Sequence, residues 1–329
     1  MTDGKIGHAV PLYPTEGLDK ADWVAGRAEY VGASEVAKVL GLHPRGGPLS
    51  VYLAKTEGEP PIDNPAIRRG VRREPLILAD ASDALEVEFR SVVPVEPHPW
   101  VLRHPDTAAL ACNLDGVAIL PGGARAPVEA KWQGSWAAEQ WKHYAAEGSP
   151  PAGSYLECHY IQVQTQLAVT GLQHAYLAGD CDASFYLLRV ERDEELIGII
   201  TEQVAAFWEL HVRTGRPPKA EAKDADVIRR VYRSSIQGKT VDLAEMADDV
   251  QYLRELRSKR REIEAEEKDI KARLLALMGN AQTGTLPDGS SVRMVDVNKQ
   301  SFDKKAFEAA HPEMYERFVR MTRYRQLRP

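Results

Sequence analysis

Cysteine is scarce in this chain. Cys112, Cys158 and Cys181 are an odd number at wide spacing, with no CxxC pair, so neither a disulfide framework nor a zinc ribbon is supported. Long apolar runs are missing as well. No stretch approaches the roughly 18–20 residues that a bilayer crossing requires, and residues 1–13 lack a basic segment followed by an apolar one. A cytoplasmic protein with no membrane partner is therefore expected. The nine histidines are scattered, and His159 beside Cys158 lacks a second ligand pair, which speaks against zinc. Internal repeats and low-complexity tracts are absent too.

What remains is ordinary globular material. Of 329 residues, 43% are hydrophobic and 27% charged, and a chain this long buries roughly 70–75% of its unfolded surface. The formal net charge of −6 argues against a basic coat for nucleic acid. That average conceals a division, because residues 219–329 carry 23 Lys and Arg against 19 Asp and Glu, leaving 19 against 29 for residues 1–218. The two parts differ in sign.

Thr214-Gly215-Arg216-Pro217-Pro218-Lys219 follows an apolar-periodic segment and opens a polar stretch, which predicts a domain of residues 1–215 and an extension of residues 216–329. Within the first, helical patterns cover Ser34–Leu42, with Ser34 as cap, then Ser50–Thr56 and residues 65–85. Strand patterns cover residues 87–94, 117–120, 127–132, 175–178 and 185–190, with a helix over Tyr160–Thr170 between them. The fold class expected is α/β, a mixed central sheet flanked by helices. In the extension, Leu256, Ile263, Ile270 and Leu277 recur every seven residues, predicting a long amphipathic helix over residues 242–278 that pairs as a coiled coil or packs on the first domain. A short hairpin about Pro287-Asp288-Gly289 follows, then a basic tail of Arg317, Arg320, Arg323, Arg325 and Arg328.

The most informative stretch is Asn113-Leu114-Asp115-Gly116, a Pro121-Gly122-Gly123 turn, and Val128-Glu129-Ala130-Lys131. Partners across a hairpin have numbers of constant sum, and 115 with 129 centres on Gly122. Asp115 and Glu129 are thus expected to face each other, with Cβ atoms about 4.5–5.5 Å apart. Bare carboxylates so placed repel, whereas a hard cation would join them. Strand alternation puts Lys131 beside Glu129 and leaves the Ala130 carbonyl near both. Two carboxylates and a carbonyl are ligands that Mg²⁺ or Mn²⁺ accepts, and Lys131 beside such an ion would lose its proton more readily and handle an attacking water. Phosphodiester hydrolysis is the natural reaction class. The plain alternative is a turn followed by a solvated salt bridge.

These residues resemble the core of the PD-(D/E)xK nucleases. Further matches, in order, are Arg27 seven residues before Ser34 in Gly32-Ala33-Ser34-Glu35-Val36, then Gly70-Val71-Arg72-Arg73-Glu74-Pro75, then Gln162-Val163-Gln164 with Leu167–Gly171. Together they resemble the YqaJ-type viral recombinases related to the lambda exonuclease, across residues 27–171. The resemblance implies a restriction-endonuclease-like core; the mainly helical C-terminal extension, read from the seven-residue repeat, lies outside it. It implies an exonuclease that resects linear double-stranded DNA 5′ to 3′ and exposes single strands for phage-type recombination, in a bacterial cell and encoded by a phage or prophage. Asp115, Glu129 and the Ala130 carbonyl would hold metal, with Glu74 on a second ion directly or through water. Lys131 would manage the nucleophilic water, Gln162 would orient the catalytic lysine or that water, and Arg27 with Ser34 would receive the 5′ phosphate. That last role also follows from a guanidinium beside a helix start. The resemblance leaves room for a single-strand annealing protein and for a ring-shaped homo-oligomer.

Other readings stay open at this level. Ser34 can be only a cap, Arg27 a surface ion-pair partner, and Glu74 part of a network with Arg68, Arg69, Arg72 and Arg73. Gln162 and Gln164 lean to different sides of their helix, and Gln162 is favoured. Trp132, Trp136 and Trp141 are read as packing rather than a stacking platform for bases. Arg68–Arg73 is the better candidate for tracking a phosphate backbone. At the level of function, the alternatives are a catalytically silent DNA-binding or assembly protein and another PD-(D/E)xK nuclease acting in DNA repair. The iron-sulfur version of the latter needs four cysteines.

Overall fold

Two compact units make up the chain, residues 1–232 and 233–329. The structure is a computed structural model and describes residues 4–18, 20–58, 64–182, 184–321 and 325–328.

The first unit begins with β1 (Val10–Pro14), α1 (Lys20–Gly26), β2 (Val31–Gly32), α2 (Ala33–Val39) and α3 (Pro48–Leu53). Next come the long helix α4 (Pro65–Phe89), β3 (Val95–Arg103), β4 (Leu110–Ile119) and β5 (Arg125–Trp132). The unit closes with α5 (Ala138–Glu147), α6 (Tyr155–Thr170), β6 (His174–Asp180), β7 (Phe185–Glu191), α7 (Glu194–Phe207) and α8 (Ala225–Val231). The sheet order is β1-β3-β4-β5-β6-β7, with β2 paired to β4. The β2–β4 and β5–β6 pairs are parallel and the others antiparallel. The sheet is thus mixed, as an α/β core with helical crossovers requires.

Helices cover both faces. On one, Ile77, Leu78, Ala81 and Leu85 of α4 pack with Ala126, Val128, Ala130, Tyr176 and Ala178. On the other, Val163 and Leu167 of α6 pack with Ala175, Leu177 and Trp141. Central strands buried on both faces read as continuous apolar runs, so a charged residue within one is conspicuous. Glu129, 1% exposed in the middle of β5, is such a residue.

Several boundaries differ from the sequence expectation. Residues 87–89 continue α4 rather than opening a strand, because buried Leu85 extends the apolar face of the helix and Arg90 ends it in the left-handed conformation (φ 52°). The next strand begins only at Val95, and β4 starts seven residues before the expected Val117. The break between units falls after Tyr232 rather than after Gly215. Residues beyond the two prolines return to the first unit, where fully buried Asp224 accepts the Gly47 N–H (2.8 Å), the Lys223 ammonium donates to the Gly41 carbonyl (2.7 Å), and Val227 joins the core.

In the second unit, α9 (Ala247–Met278) precedes the hairpin β8 (Thr283–Thr285) and β9 (Ser291–Arg293), then α10 (Lys304–Ala310) and α11 (Pro312–Phe318). Leu256, Ile263, Ile270 and Leu277 are all exposed along α9. Of the basic tail, Arg323 lies outside the described residues. No helix among the described residues is long and apolar enough to cross a membrane.

Candidate active site

The β4–β5 hairpin pairs Gly116 with Val128, Val117 with Pro127 and Ala118 with Ala126, the register that the opposition of Asp115 and Glu129 requires. Its reversal at Pro121–Gly123 places Gly122 and Gly123 at φ 83°, a conformation that side chains disfavour. Beyond Gly116 the Asp115 carboxylate accepts the Ala130 N–H at 2.9 Å. Asp115 is thereby fixed beside the Glu129–Lys131 segment.

Alternation along β5 sends Val128 and Ala130 into the α4 side of the core, while Glu129 turns towards α6. Glu129 Oε1 accepts from Gln162 (2.6 Å) and from the Lys131 ammonium, and Oε2 accepts from Gln166 (2.5 Å). Burial, and then the charge of Asp115, push the Glu129 carboxyl up to about 7. Burial works against the charge of Lys131, but Glu129 and Asp115 overcome it and hold the amine above its usual value. In the metal-free chain Lys131 is therefore an ammonium; the proton loss expected from the sequence needs a cation to balance these acids. Glu74 on α4 is also raised, by burial and by Asp115. Its neighbour Arg73 pairs with Asp180 and lies 5.8 Å over Trp132, and Arg69 lies 5.0 Å over the same ring. The helix thus turns arginines one way and Glu74 towards the acids.

Two cavities meet at these acids. One, of about 360 Å³, is lined by Arg27, Ser34, Glu74, Asp115 and Gln162, together with Trp23 and His98 among others. The second, of about 630 Å³, is lined by Glu74, Asp115, Lys131, His159, Trp136 and Arg45 among others. Glu74 and Asp115 belong to both. His159 is held well below its usual value, first by burial and then by Lys131 and His43, so it is neutral.

In the lining of the smaller cavity, Arg27 Nη2 donates to Ser34 Oγ at 3.3 Å and its guanidinium lies 4.8 Å over the Trp23 ring. Ser34 is not the cap of α2. Gly32 is, and Glu35 three residues on takes the Gly32 N–H at 2.8 Å, leaving the Ser34 hydroxyl turned to Arg27.

The structure therefore brings together Glu74, Asp115, Glu129, Lys131 and Gln162, and connects them to Arg27 and Ser34. Gln164 lies apart, donating to the Glu191 carbonyl at 2.6 Å and accepting the Asp193 N–H at 3.0 Å. Gln166, fully buried on Glu129, escaped the sequence reading, although its spacing of four from Gln162 puts both on one helical face. The tryptophans divide: Trp141 is fully buried, as expected for packing, whereas Trp136 is 64% exposed at the larger cavity.

Among the described residues, no group of three or more His, Cys, Asp or Glu side chains forms a metal cage. The donors available are the carboxylates of Asp115 and Glu129 and the Ala130 carbonyl, with Glu74 electrostatically coupled to Asp115. All are hard oxygens suited to Mg²⁺ or Mn²⁺. Burial first, and then the charge of Asp115, raise both Glu74 and Glu129, a crowding of negative charge that the Lys131 ammonium on Glu129 partly offsets. On that chemistry the residues fit a divalent ion whose remaining ligands are water.

Comparison with known proteins bears on the same segment. Residues 22–173 match the model of the YqaJ-like viral recombinase domain. The matched segment covers a little under half of the chain. It contains every site residue named above, from Arg27 to Gln166. Similarity extends past the domain in the uncharacterized protein YqaJ of Bacillus subtilis (strain 168), which is 24% identical over 318 residues, 94% of this chain and 93% of that protein. Among solved structures, the chain is similar to LHK-Exo, an alkaline exonuclease from Laribacter hongkongensis, at 23% identity and TM-score 0.45, over 64% of this chain and 95% of that one. It is also similar to a phage related exonuclease from Haemophilus somnus 129PT, at 13% identity and TM-score 0.41, over 56% and 94%.

Proposed function

We propose that the protein is a deoxyribonuclease, a divalent-metal-dependent exonuclease that resects linear double-stranded DNA 5′ to 3′ and leaves single strands for recombination. The observation that carries this reading is one cavity lined both by Arg27 and Ser34 and by Glu74, Asp115 and Gln162. A terminal phosphate at the first pair leaves the adjoining strand beside the acids.

In this reading Asp115, Glu129 and the Ala130 carbonyl hold Mg²⁺ or Mn²⁺, with Glu74 on a second ion or its water. Bound metal supplies Lewis-acid polarisation of the phosphate and a more acidic water. The chain's own residues do the rest. Arg27 and Ser34 bind the terminal phosphate by charge-assisted hydrogen bonds. Lys131 directs the attacking water and takes or returns its proton once its charge is offset. Gln162 and Gln166 keep Glu129 in one rotamer, so its oxygens need no reorganisation during the reaction.

A linear plasmid incubated with Mg²⁺ is expected to shorten progressively while the covalently closed circle persists. A silent binding protein would degrade neither, and an endonuclease would cut both.

For residues 233–329 we propose a role in assembly or in recruiting a single-strand annealing protein, supported by the exposed seven-residue repeat on α9. A chain ending at Tyr232 keeps the Asp224 and Val227 anchors and is expected to retain its nuclease domain while losing oligomerisation or annealing-protein binding. Unchanged oligomer mass and unchanged partner binding would remove the proposal.

A further inference from the structure

Glu35 and Lys55 form a buried charge cluster behind the smaller cavity, outside the residues assigned to cleavage. Glu35 Oε2 accepts from the Gly32 N–H at 2.8 Å and the Lys55 ammonium at 2.7 Å, and forms an ion pair with Arg27 Nη2 at 3.5 Å. The Lys55 side chain is 2% exposed, and its ammonium also donates to the Arg27 backbone carbonyl at 2.8 Å. Lys55 thus ties down the main chain of Arg27 and the acid that holds its guanidinium. Gly32 completes the arrangement, because a Cβ there would come within 3.0 Å of Arg27 Nη2 and 3.3 Å of Glu35 Oε2. A side chain there would make the guanidinium and the carboxylate give way by a few tenths of an ångström.

Fixing a long side chain at three points, and its backbone at a fourth, removes rotamer freedom before any ligand arrives. The Arg27 guanidinium is held by Glu35, Ser34 and the Trp23 ring, and its backbone by Lys55. Burying two charges for this is costly, and neutral residues of similar volume would often be at least as stable. A requirement for direction explains their presence better than one for stability. We infer that Glu35 and Lys55 are positioning residues that aim the Arg27 guanidinium into the cavity and so set the preference for a phosphorylated over an unphosphorylated 5′ DNA end. The inference rests on the phosphate role of Arg27 proposed above.

Net charge and aim predict opposite signs. If only charge mattered, Glu35→Gln would remove a carboxylate beside the phosphate and tighten its binding. If aim matters, the same change frees the guanidinium and weakens the preference. The experiment is a competition assay with the full chain in chelator, where no cleavage interferes, using fluorescent duplexes with a 5′-phosphate or a 5′-hydroxyl end. The wild type is expected to prefer the phosphate by about tenfold or more, in line with a charge-assisted contact. Arg27→Ala sets the floor, with a ratio near one. Glu35→Gln is expected to fall to within about twofold of that floor while its affinity for the hydroxyl end stays within about twofold of wild type. Glu35→Gln/Lys55→Met removes both buried charges together, protects against misfolding from one unpaired ion, and is expected to lose the preference as well.

A wild-type ratio retained or raised in Glu35→Gln and in the double variant overturns the inference and leaves the phosphate pocket intact. Equal weakening towards both ends also overturns it, because that is a structural effect. A wild type indifferent to the end group overturns the phosphate reading of Arg27, and this inference with it.

Discussion

Lys131→Ala is expected to lower single-turnover cleavage of linear duplex by about 10²–10⁴-fold, the range of a positioned proton-transfer group, while duplex binding in chelator persists. The amine sits on Glu129, beside Asp115 and within the larger cavity that also reaches Glu74. Those acids keep it charged in the metal-free chain, so its contribution to proton transfer depends on a cation arriving to offset them. The alanine variant removes the only lysine that lines either cavity among the described residues. Turnover at the wild-type rate in this variant would take Lys131 out of the reaction.

Asp115→Asn is the second variant of large effect. Cleavage is expected to fall by at least about 10²-fold, as for loss of a principal electrostatic group, and a protonation change should accompany it. Asp115 ranks after burial among the influences that raise Glu129 from 4.5 to about 7. A carboxyl raised in the folded state binds a proton there that the unfolded chain releases, so its stabilisation is fully present below about 4.5 and is lost as pH rises through about 7. In metal-free buffer, the melting temperature of the wild type relative to Glu129→Gln should therefore decline across that window. In an Asp115→Asn background the decline should be smaller and end at lower pH, because the repelling charge is gone. Superimposable curves for all these proteins would show that Glu129 titrates as an ordinary carboxyl.

The hairpin acids were legible because strand pairing obeys a numerical rule and Pro121-Gly122-Gly123 leaves few choices for its centre. Glu74 was recognisable by resemblance, but its separation from the neighbouring arginines is a matter of helical phase and of Asp180, a residue more than a hundred positions away. Gln166 carried a readable signal, its spacing from Gln162, which a comparison of Gln162 with Gln164 alone passes over. Glu35 and Lys55 offered less. They are twenty residues apart on different elements, and only tertiary packing brings them together at 2.7 Å. The Pro217-Pro218 pair looked like a linker because proline ends regular structure locally; the return of Asp224 to Gly47 is a long-range event that no local pattern records.

The reversal at Pro121–Gly123 is in effect a gauge for the whole enzyme. Each step along β5 exchanges the two sides of the sheet, so one extra residue in that loop would slide Glu129 into the slot of Ala130. A carboxylate would then press on Ile77 and Leu78 of α4, with the Val128 side chain left facing Gln162 and Gln166. Loop length at this corner can therefore vary only in even increments if the reacting groups are to stay on their own side.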